Sequence, residues 1–348
     1  MSLTKNQKKR MKKKIAEKKR MPAQGSYVFD ADYLDAHHLA IIACLGTLPC
    51  AIPHRASEGS EAVADLLGIL VGLGGGSLVM GLQHHYPSGS LLVCDLDDHM
   101  ETLATKFFGF SKQRQTHVFA QEGVEFLGQI RHQADALSRD KIVGPTVNAG
   151  DDPGMSCPLC CITHMPPIFH SPITFLLCID LSALTLKESS IIQPLAPYVT
   201  AHRSASVASY IVIDVDGKDP SLRLTAPPAA FIAAPTLRLM HDLLVPGGAL
   251  VINTVARGGE EPVNELIAAL KAVFQHDQAT AGSVYVIKPS DENVNLILFG
   301  VKGGQRADTA LRETYMAYLR WRSDSEHASG MSPSERDLLS MATKVKEV

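Results

Sequence analysis

Residues 65–77, DLLGILVGLGGGS, constrain the fold of this chain more than any other stretch. Leu66, Leu67, Ile69, Leu70 and Val71 make a continuous apolar run that stops at Gly72-Leu73-Gly74-Gly75-Gly76. An apolar run bounded by glycine predicts a strand buried on both faces of a parallel sheet. The glycines permit a tight turn and let a ligand approach the backbone. A helix predicted over Ser77–Tyr86 would present its unpaired N–H groups at the same point. About twenty residues on, a second apolar strand, Ser90–Cys94, ends in Asp95, where a carboxylate can take the two hydroxyls of a ribose. Glycine turn and strand-end acid together predict a nucleoside-cofactor site.

The remaining chain alternates in the same way. Upstream, Phe29–Leu48 carries Leu34, His38, Ile41, Ile42 and Leu45 at helical spacing, with Tyr33, His37 and His38 in its first turns and Pro49 as a stop. Downstream of Asp95, Asp97 and Asp98 open a helix whose apolar face is read as Met100, Leu103, Ala104 and Phe107. Thr116–Ala120 is a third strand, and after Gln121-Glu122-Gly123 helical periodicity resumes through Val124, Leu127, Ile130 and Ala134. Ser209–Asp214 is a fourth buried strand, again ending in an acid. Ala229–Leu244 is predicted as one helix, Pro246-Gly247-Gly248 as a turn, Ala249–Val255 as a fifth strand and Glu260–Phe274 as a helix. Ser283–Lys288 and Asn293–Lys302 form a closing antiparallel pair, residues 306–321 a helix, and Leu338–Val348 a segment that docks or frays.

Between helix and fourth strand the composition changes. Only five of the 58 residues at 143–200 are charged, while eight of the 20 prolines and four of the seven cysteines fall there, which sets this stretch apart from the regular repeats around it. Residues 139–205 therefore read as an insertion in a domain spanning 26–348, or as intron-encoded sequence retained in a gene model. Removing them leaves a short loop of ordinary αβ length. A zinc site from Cys157, Cys160, Cys161 and His164, completed by His170 or Cys178, is less favoured. No second C-x-x-C closes it, and adjacent cysteines rarely serve one tetrahedral ion. No metal site is expected.

Charge is distributed unevenly. Residues 1–20 hold ten Lys/Arg against one Glu, within a chain of net charge −3. A run of like charge with little to bury predicts a solvated tail over 1–25 that could attract RNA or the ribosome. No uninterrupted apolar stretch is long enough to span a membrane, no apolar segment follows the basic start, and the cysteine count is odd. These features predict a cytoplasmic protein.

The dinucleotide fingerprint G-x-G-x-x-G would need glycine where Ser77 stands. The spacing is instead G-x-G-x-G at Gly72, Gly74 and Gly76, which resembles motif I of the class I S-adenosylmethionine-dependent methyltransferases and of the related spermidine synthases. VGLGGGSL at 71–78, KFFGF at 106–110, IDVDGKDPSLRLTAPPAAF at 213–231, PGGALVIN at 246–253 and the ending LLSMATKVKEV carry a closer likeness. They resemble the C-terminal domain of the elongation factor 1-alpha lysine and N-terminal methyltransferases, over roughly 30–138 and 206–348. The implied fold is α/β: a Rossmann-like seven-stranded methyltransferase sheet with helices on both faces and a terminal antiparallel hairpin.

The resemblance implies a role for each of several residues. Gly72, Gly74 and Gly76 would cradle the methionine end of S-adenosylmethionine. Asp95 would bind the ribose, with Asp97 secondary, and Glu122 and Gly123 would meet the adenine. Asp214 would lie beside the methyl donor and hold or deprotonate the amine, since attack on a sulfonium needs a neutral nitrogen lone pair. Asp216 and Asp219 could bind a cationic substrate, and Tyr33, His37 and His38 would border the site. The implied substrate is the N-terminal α-amine, or a lysine, of elongation factor 1-alpha.

Two alternatives stand beside this reading. One is aminopropyl transfer, as in spermidine synthases, which carry Asp-[Ser/Thr]-[Ser/Thr]-Asp-Pro at the corresponding strand end. Here the stretch is Asp214-Val215-Asp216-Gly217-Lys218-Asp219-Pro220, longer and with a lysine that disfavours a polycationic amine. The other is a binding module that keeps the fold but has lost catalysis, with the insertion as the cause.

Overall fold

The computed structural model describes residues 34–46, 66–86, 89–140, 191, 194–196, 198–199, 206–217, 221–257, 259–276, 282–290, 294–303, 341 and 344–348. The basic tail, Tyr33, the cysteines at 157–178, Lys218, Asp219 and the helix read at 306–321 lie outside the described residues.

Strand β1 (Leu67–Val71) is buried at every position, as its unbroken apolar run requires. It pairs in parallel with β2 (Ser90–Asp95) on one side and β4 (Ala208–Ile213) on the other. Beyond β2 lies β3 (Thr116–Ala120), also parallel. On the far side of β4 come β6 (Leu244–Ala256), parallel, then β8 (Asn295–Val301) and β7 (Ser283–Ile287), both antiparallel to their neighbours. The order is β3-β2-β1-β4-β6-β8-β7-β9, with the short β5 (Leu224–Ala226) pairing β6 off this path. The seven strands expected from sequence are all present. Two short ones add to them: β5, and β9 (Lys346–Glu347), which joins the edge of β7. The C-terminal segment thus docks, with Met341 buried beneath it.

Side chains alternate across β1, so Leu67, Ile69 and Val71 face one apolar cluster and Leu70 the other. The first cluster is closed by α4 (Gly123–Asp140) through Phe126, Leu127 and Ile130, by α6 (Ala234–Leu243) through Leu237 and Met240, and by α7 (Glu261–Phe274) through Leu266 and Leu270. The second is closed by α1 (Ala36–Gly46) through Ile41, Ile42 and Leu45 and by α2 (Ser77–His85) through Leu78, Val79 and Leu82. Helices therefore cover both faces. Glycine enables two close approaches. A Cβ on Gly68 would collide with the Tyr210 ring of β4, and one on Gly81 would lie 3.0 Å from Ile42, where α1 crosses α2. That crossing brings the first turn of α1 over the sheet.

Four elements differ from their sequence reading. Leu34 and Asp35, read as helical, precede α1, which begins at Ala36. The helix read over Ala229–Leu244 is two: α5 (Ala229–Ile232) and α6, separated by Ala233 in an extended conformation. Pro235 lacks the N–H that would bond to Phe231 and its ring would clash there, so the helix restarts. The glycine turn at 246–248 is absorbed into β6, whose pairing with β4 slips between Ala208 and Tyr210. Helix α3 (Met100–Phe108) buries Ala104, but Leu103, Phe107 and Phe108 are exposed, at 38%, 52% and 60%. Met100 and Ala104 meet the core while the rest of its apolar stripe faces outward, and Phe108 lies against Gly75.

Candidate functional site

The parallel register sets the site. Val71 stands opposite Cys94 of β2 and Ile213 of β4, so the turn after β1, Asp95 and Asp214 emerge on one rim of the sheet. Backbone bonds fix the alignment: Gly72 donates to the Cys94 carbonyl at 2.8 Å and Asp214 to the Val71 carbonyl at 2.9 Å. The chain leaves β1 toward β2 on one side and reaches β4 on the other, which makes this rim the topological switch point where α/β sheets bind ligands.

The glycine turn has the predicted backbone. Gly72, Gly74 and Gly76 have φ of 102°, 51° and 80°, a region that disfavours any side chain. Their surroundings differ. A Cβ on Gly72 would strike the Asp214 carbonyl, and one on Gly76 would lie 2.6 Å from the Phe110 ring. One on Gly74 would meet nothing within 4 Å. Gly74 is the open face of the turn. The Asp95 carboxylate fastens it, with Oδ2 accepting from the N–H groups of Leu73 at 2.9 Å and Gly74 at 3.3 Å, and Oδ1 from Asp97 at 3.1 Å. Asp97 accepts from the His99 N–H at 2.9 Å. Beside Asp95, Leu96 is 78% exposed, an apolar side chain left at the mouth of the turn.

Glu122 lies at the end of β3 with its carboxylate accepting from the Glu125 N–H at 2.8 Å, so it caps α4. Gly123 is buried, and a Cβ there would press on Val71 at 2.6 Å and Phe231 at 2.8 Å. Its smallness lets α4 start against the sheet. Asp216 is exposed on the loop after β4.

On the β4 side, Asp214 gathers a set of polar side chains. Asn253 of β6 donates from Nδ2 to Asp214 Oδ1 at 2.7 Å, and Asn295 of β8 donates in turn to Asn253 Oδ1 at 2.8 Å. His38 of α1 places Nε2 3.3 Å from Asp214 Oδ2, while its Nδ1 lies 3.3 Å from Ser77 Oγ. The His37 and His38 rings are 4.1 Å apart. Only 18% of the Asp214 side chain and 12% of that of His38 is exposed. Burial works to raise the Asp214 pKa. The His38 hydrogen bond and charge, the Asn253 amide and the nearby His37 outweigh it and hold the carboxyl below its ordinary range. His37 is pushed below the ordinary histidine value by burial first and then by His38, against the pull of Asp214 and Asp35.

The structure thus brings together Gly72–Gly76, Asp95, Asp214, His37 and His38, and places Asp97, Glu122 and Gly123 on adjoining elements of the same rim. Sequence reasoning missed Ser77, Asn253 and Asn295. Asn253 had a signal, as a polar residue interrupting the apolar run ALVINTV. Ser77 had another, occupying the place of a fingerprint glycine.

Comparison with solved structures agrees with the topology. Human methyltransferase-like protein 13 in complex with SAH matches with a TM-score of 0.51 and 22% identity, covering 86% of this chain and 100% of that one. The fold is the Rossmann-like methyltransferase fold. Among curated proteins, the chain is 25% identical to the human eEF1A lysine and N-terminal methyltransferase over 300 residues, which is 85% of this chain. It is 25% identical to the Bos taurus protein of that name over 282 residues, 80% of this chain. The chain spans 30% and 28% of the lengths of those two relatives. No family model matches it. Among the described residues, no helix is long and apolar enough to cross a membrane.

Proposed function

We propose that this chain is an S-adenosylmethionine-dependent protein methyltransferase acting on an amine, the N-terminal α-amine or a lysine of elongation factor 1-alpha. The observation that carries the reading is the joint placement of an open glycine turn with a strand-end acid and, across the switch point, a half-buried carboxylate beside two histidines. The names of the curated relatives supply the substrate. An adenosine cofactor fits the turn: Gly74 is unobstructed, and Asp95 stands where ribose hydroxyls can replace the loop N–H groups as its partners. Gly72, Gly74 and Gly76 would hold the methionine end, Asp95 and Asp97 the ribose, and Glu122 and Gly123 the adenine edge. When bound, S-adenosylmethionine supplies an electrophilic methyl group on sulfur.

This chain's residues have three tasks. Asp214, anionic at neutral pH, holds the positive charge of the incoming amine and fixes its direction. Asn253, itself held by Asn295, fixes the carboxylate by occupying Oδ1, which leaves Oδ2 toward His38. His37, kept neutral at neutral pH by burial, accepts the proton that the amine must lose before its lone pair can attack. Asp216 and Asp219 add negative charge in the sequence after Asp214 for a cationic peptide. The basic tail would bring the protein to RNA or ribosomes in the cytoplasm, where the substrate works.

A spermidine synthase-like reaction is disfavoured by Lys218, four positions after Asp214 in the sequence. The test of the proposal is methyl transfer from labelled cofactor to elongation factor 1-alpha with free and chemically blocked N-termini, mapped by peptide mass spectrometry. Label on the free N-terminal peptide that disappears on blocking supports the α-amine. Label that survives blocking moves the target to lysine, and no label on either removes elongation factor 1-alpha as substrate.

A further inference from the structure

We propose that His37, His38 and Asp214 form a three-ligand site for a divalent transition-metal cation, Zn2+ in particular, that competes with the amine substrate. Among the described residues, these three offer ligand atoms that all lie within 4.8 Å of one another. The separation of His38 Nε2 from Asp214 Oδ2 is 3.3 Å. Two ligands of a tetrahedral ion with bonds of about 2.0–2.1 Å stand about 3.3 Å apart. Two imidazoles and one carboxylate, with a position left open, are a donor set that zinc accepts.

Their surroundings strengthen the case. A ligating imidazole needs its second nitrogen engaged elsewhere, and Ser77 Oγ lies 3.3 Å from His38 Nδ1, which leaves Nε2 to the ion. A ligating carboxylate likewise needs its free oxygen held, and Asn253 donates to Asp214 Oδ1 at 2.7 Å with Asn295 behind it. Both supporting contacts sit on the atoms that the ion would not use. Sequence reading found no such set because 176 positions separate His38 from Asp214 and only the crossing of α1 over the sheet unites them.

The consequence is inhibition. A cation on Asp214 Oδ2 removes the charge that would hold an ammonium group. Zn2+ should therefore raise the apparent KM for the protein substrate while leaving that for the cofactor unchanged. This part rests on the amine role of Asp214 proposed above, whereas binding of the ion does not.

The experiment titrates Co2+, a spectroscopic stand-in for Zn2+, into the chelator-treated full chain. The variants His37→Ala, His38→Gln and the isosteric Asp214→Asn are run alongside, and thermal melting reports folding. Expected is one equivalent with visible ligand-field bands, no thiolate charge-transfer band, and affinity at least tenfold lower in each folded variant. Absence of binding, binding unchanged in any folded variant, or a charge-transfer band marking cysteine ligation would each overturn the site. Binding as expected with no effect of Zn2+ on the substrate KM would overturn the competition alone. Binding without any methyl transfer would instead count against the proposed function.

Discussion

The three positive-φ glycines look equivalent in the sequence, yet they do different work. Gly72 packs against the Asp214 backbone just past β4, Gly76 against the Phe110 ring, and Gly74 against nothing. Gly72→Ala should therefore destabilise the protein by more than the roughly 1–3 kcal/mol of backbone strain alone, because a methyl group cannot coexist with the Asp214 carbonyl. Gly74→Ala should carry the strain only, and a pair of melting curves separates them. Asp214 gives a pH signature. Its carboxyl titrates below the ordinary value of 3.8, so the stability it contributes is complete above that value and is lost as pH falls through its own lower pKa. Asp214→Asn should remove that part of the acid slope in urea unfolding measured across acid pH. A slope unchanged by the substitution would mean that the His38 and Asn253 contacts do not stabilise the charged form. The rim acids were legible because a carboxylate ending an apolar run stands out against the buried residues before it. The roles of Ser77, Asn253 and Asn295 were not, since an amide or hydroxyl gains its role only from what the fold sets opposite it.

Periodicity located the strands and the long helices after β1 within a few residues, because burial on one or both faces writes itself directly into apolar spacing. It failed where a local backbone rule overrode it. Pro235 divided a helix that its apolar positions had joined, and the glycines at 247–248 were taken up into β6 rather than forming a turn before it. Helix α3 failed differently: Leu103 and Phe107 of its apolar stripe face outward while Met100 and Ala104 meet the core. Strand β9 was beyond the reach of pattern reading, since two exposed charged residues carry no strand signal and pair only because β7 offers an edge. Deleting residues 341–348 should uncover that edge and the pocket of Met341, lowering the melting temperature and promoting association. Lys302 holds another junction. Its ammonium donates to the His241 and Leu244 carbonyls at 2.9 and 2.8 Å, at the end of α6. Lys302→Met should cost about 1–3 kcal/mol, read from chemical denaturation, by leaving those carbonyls without the charged donor.

At the scale of the molecule, the order of strands does what no single motif can. It puts the turn after β1 between the ends of β2 and β4, so one wall of the rim carries Asp95 and the other Asp214. The proposed division of labour follows from that separation: cofactor on the Asp95 wall, amine or competing metal on the Asp214 wall. The fold class was legible because five successive βα patterns and a closing hairpin leave few other topologies. The composition of the Asp214 wall was not, since its members come from α1, β4, β6 and β8. Calorimetric titration of S-adenosylmethionine into the full chain, Asp95→Ala and Asp214→Asn tests this division most directly. The account predicts one site in the parent protein, binding weakened by tenfold or more in Asp95→Ala, and nearly unchanged affinity in Asp214→Asn. No binding to the parent, or equal losses in both variants, would contradict it.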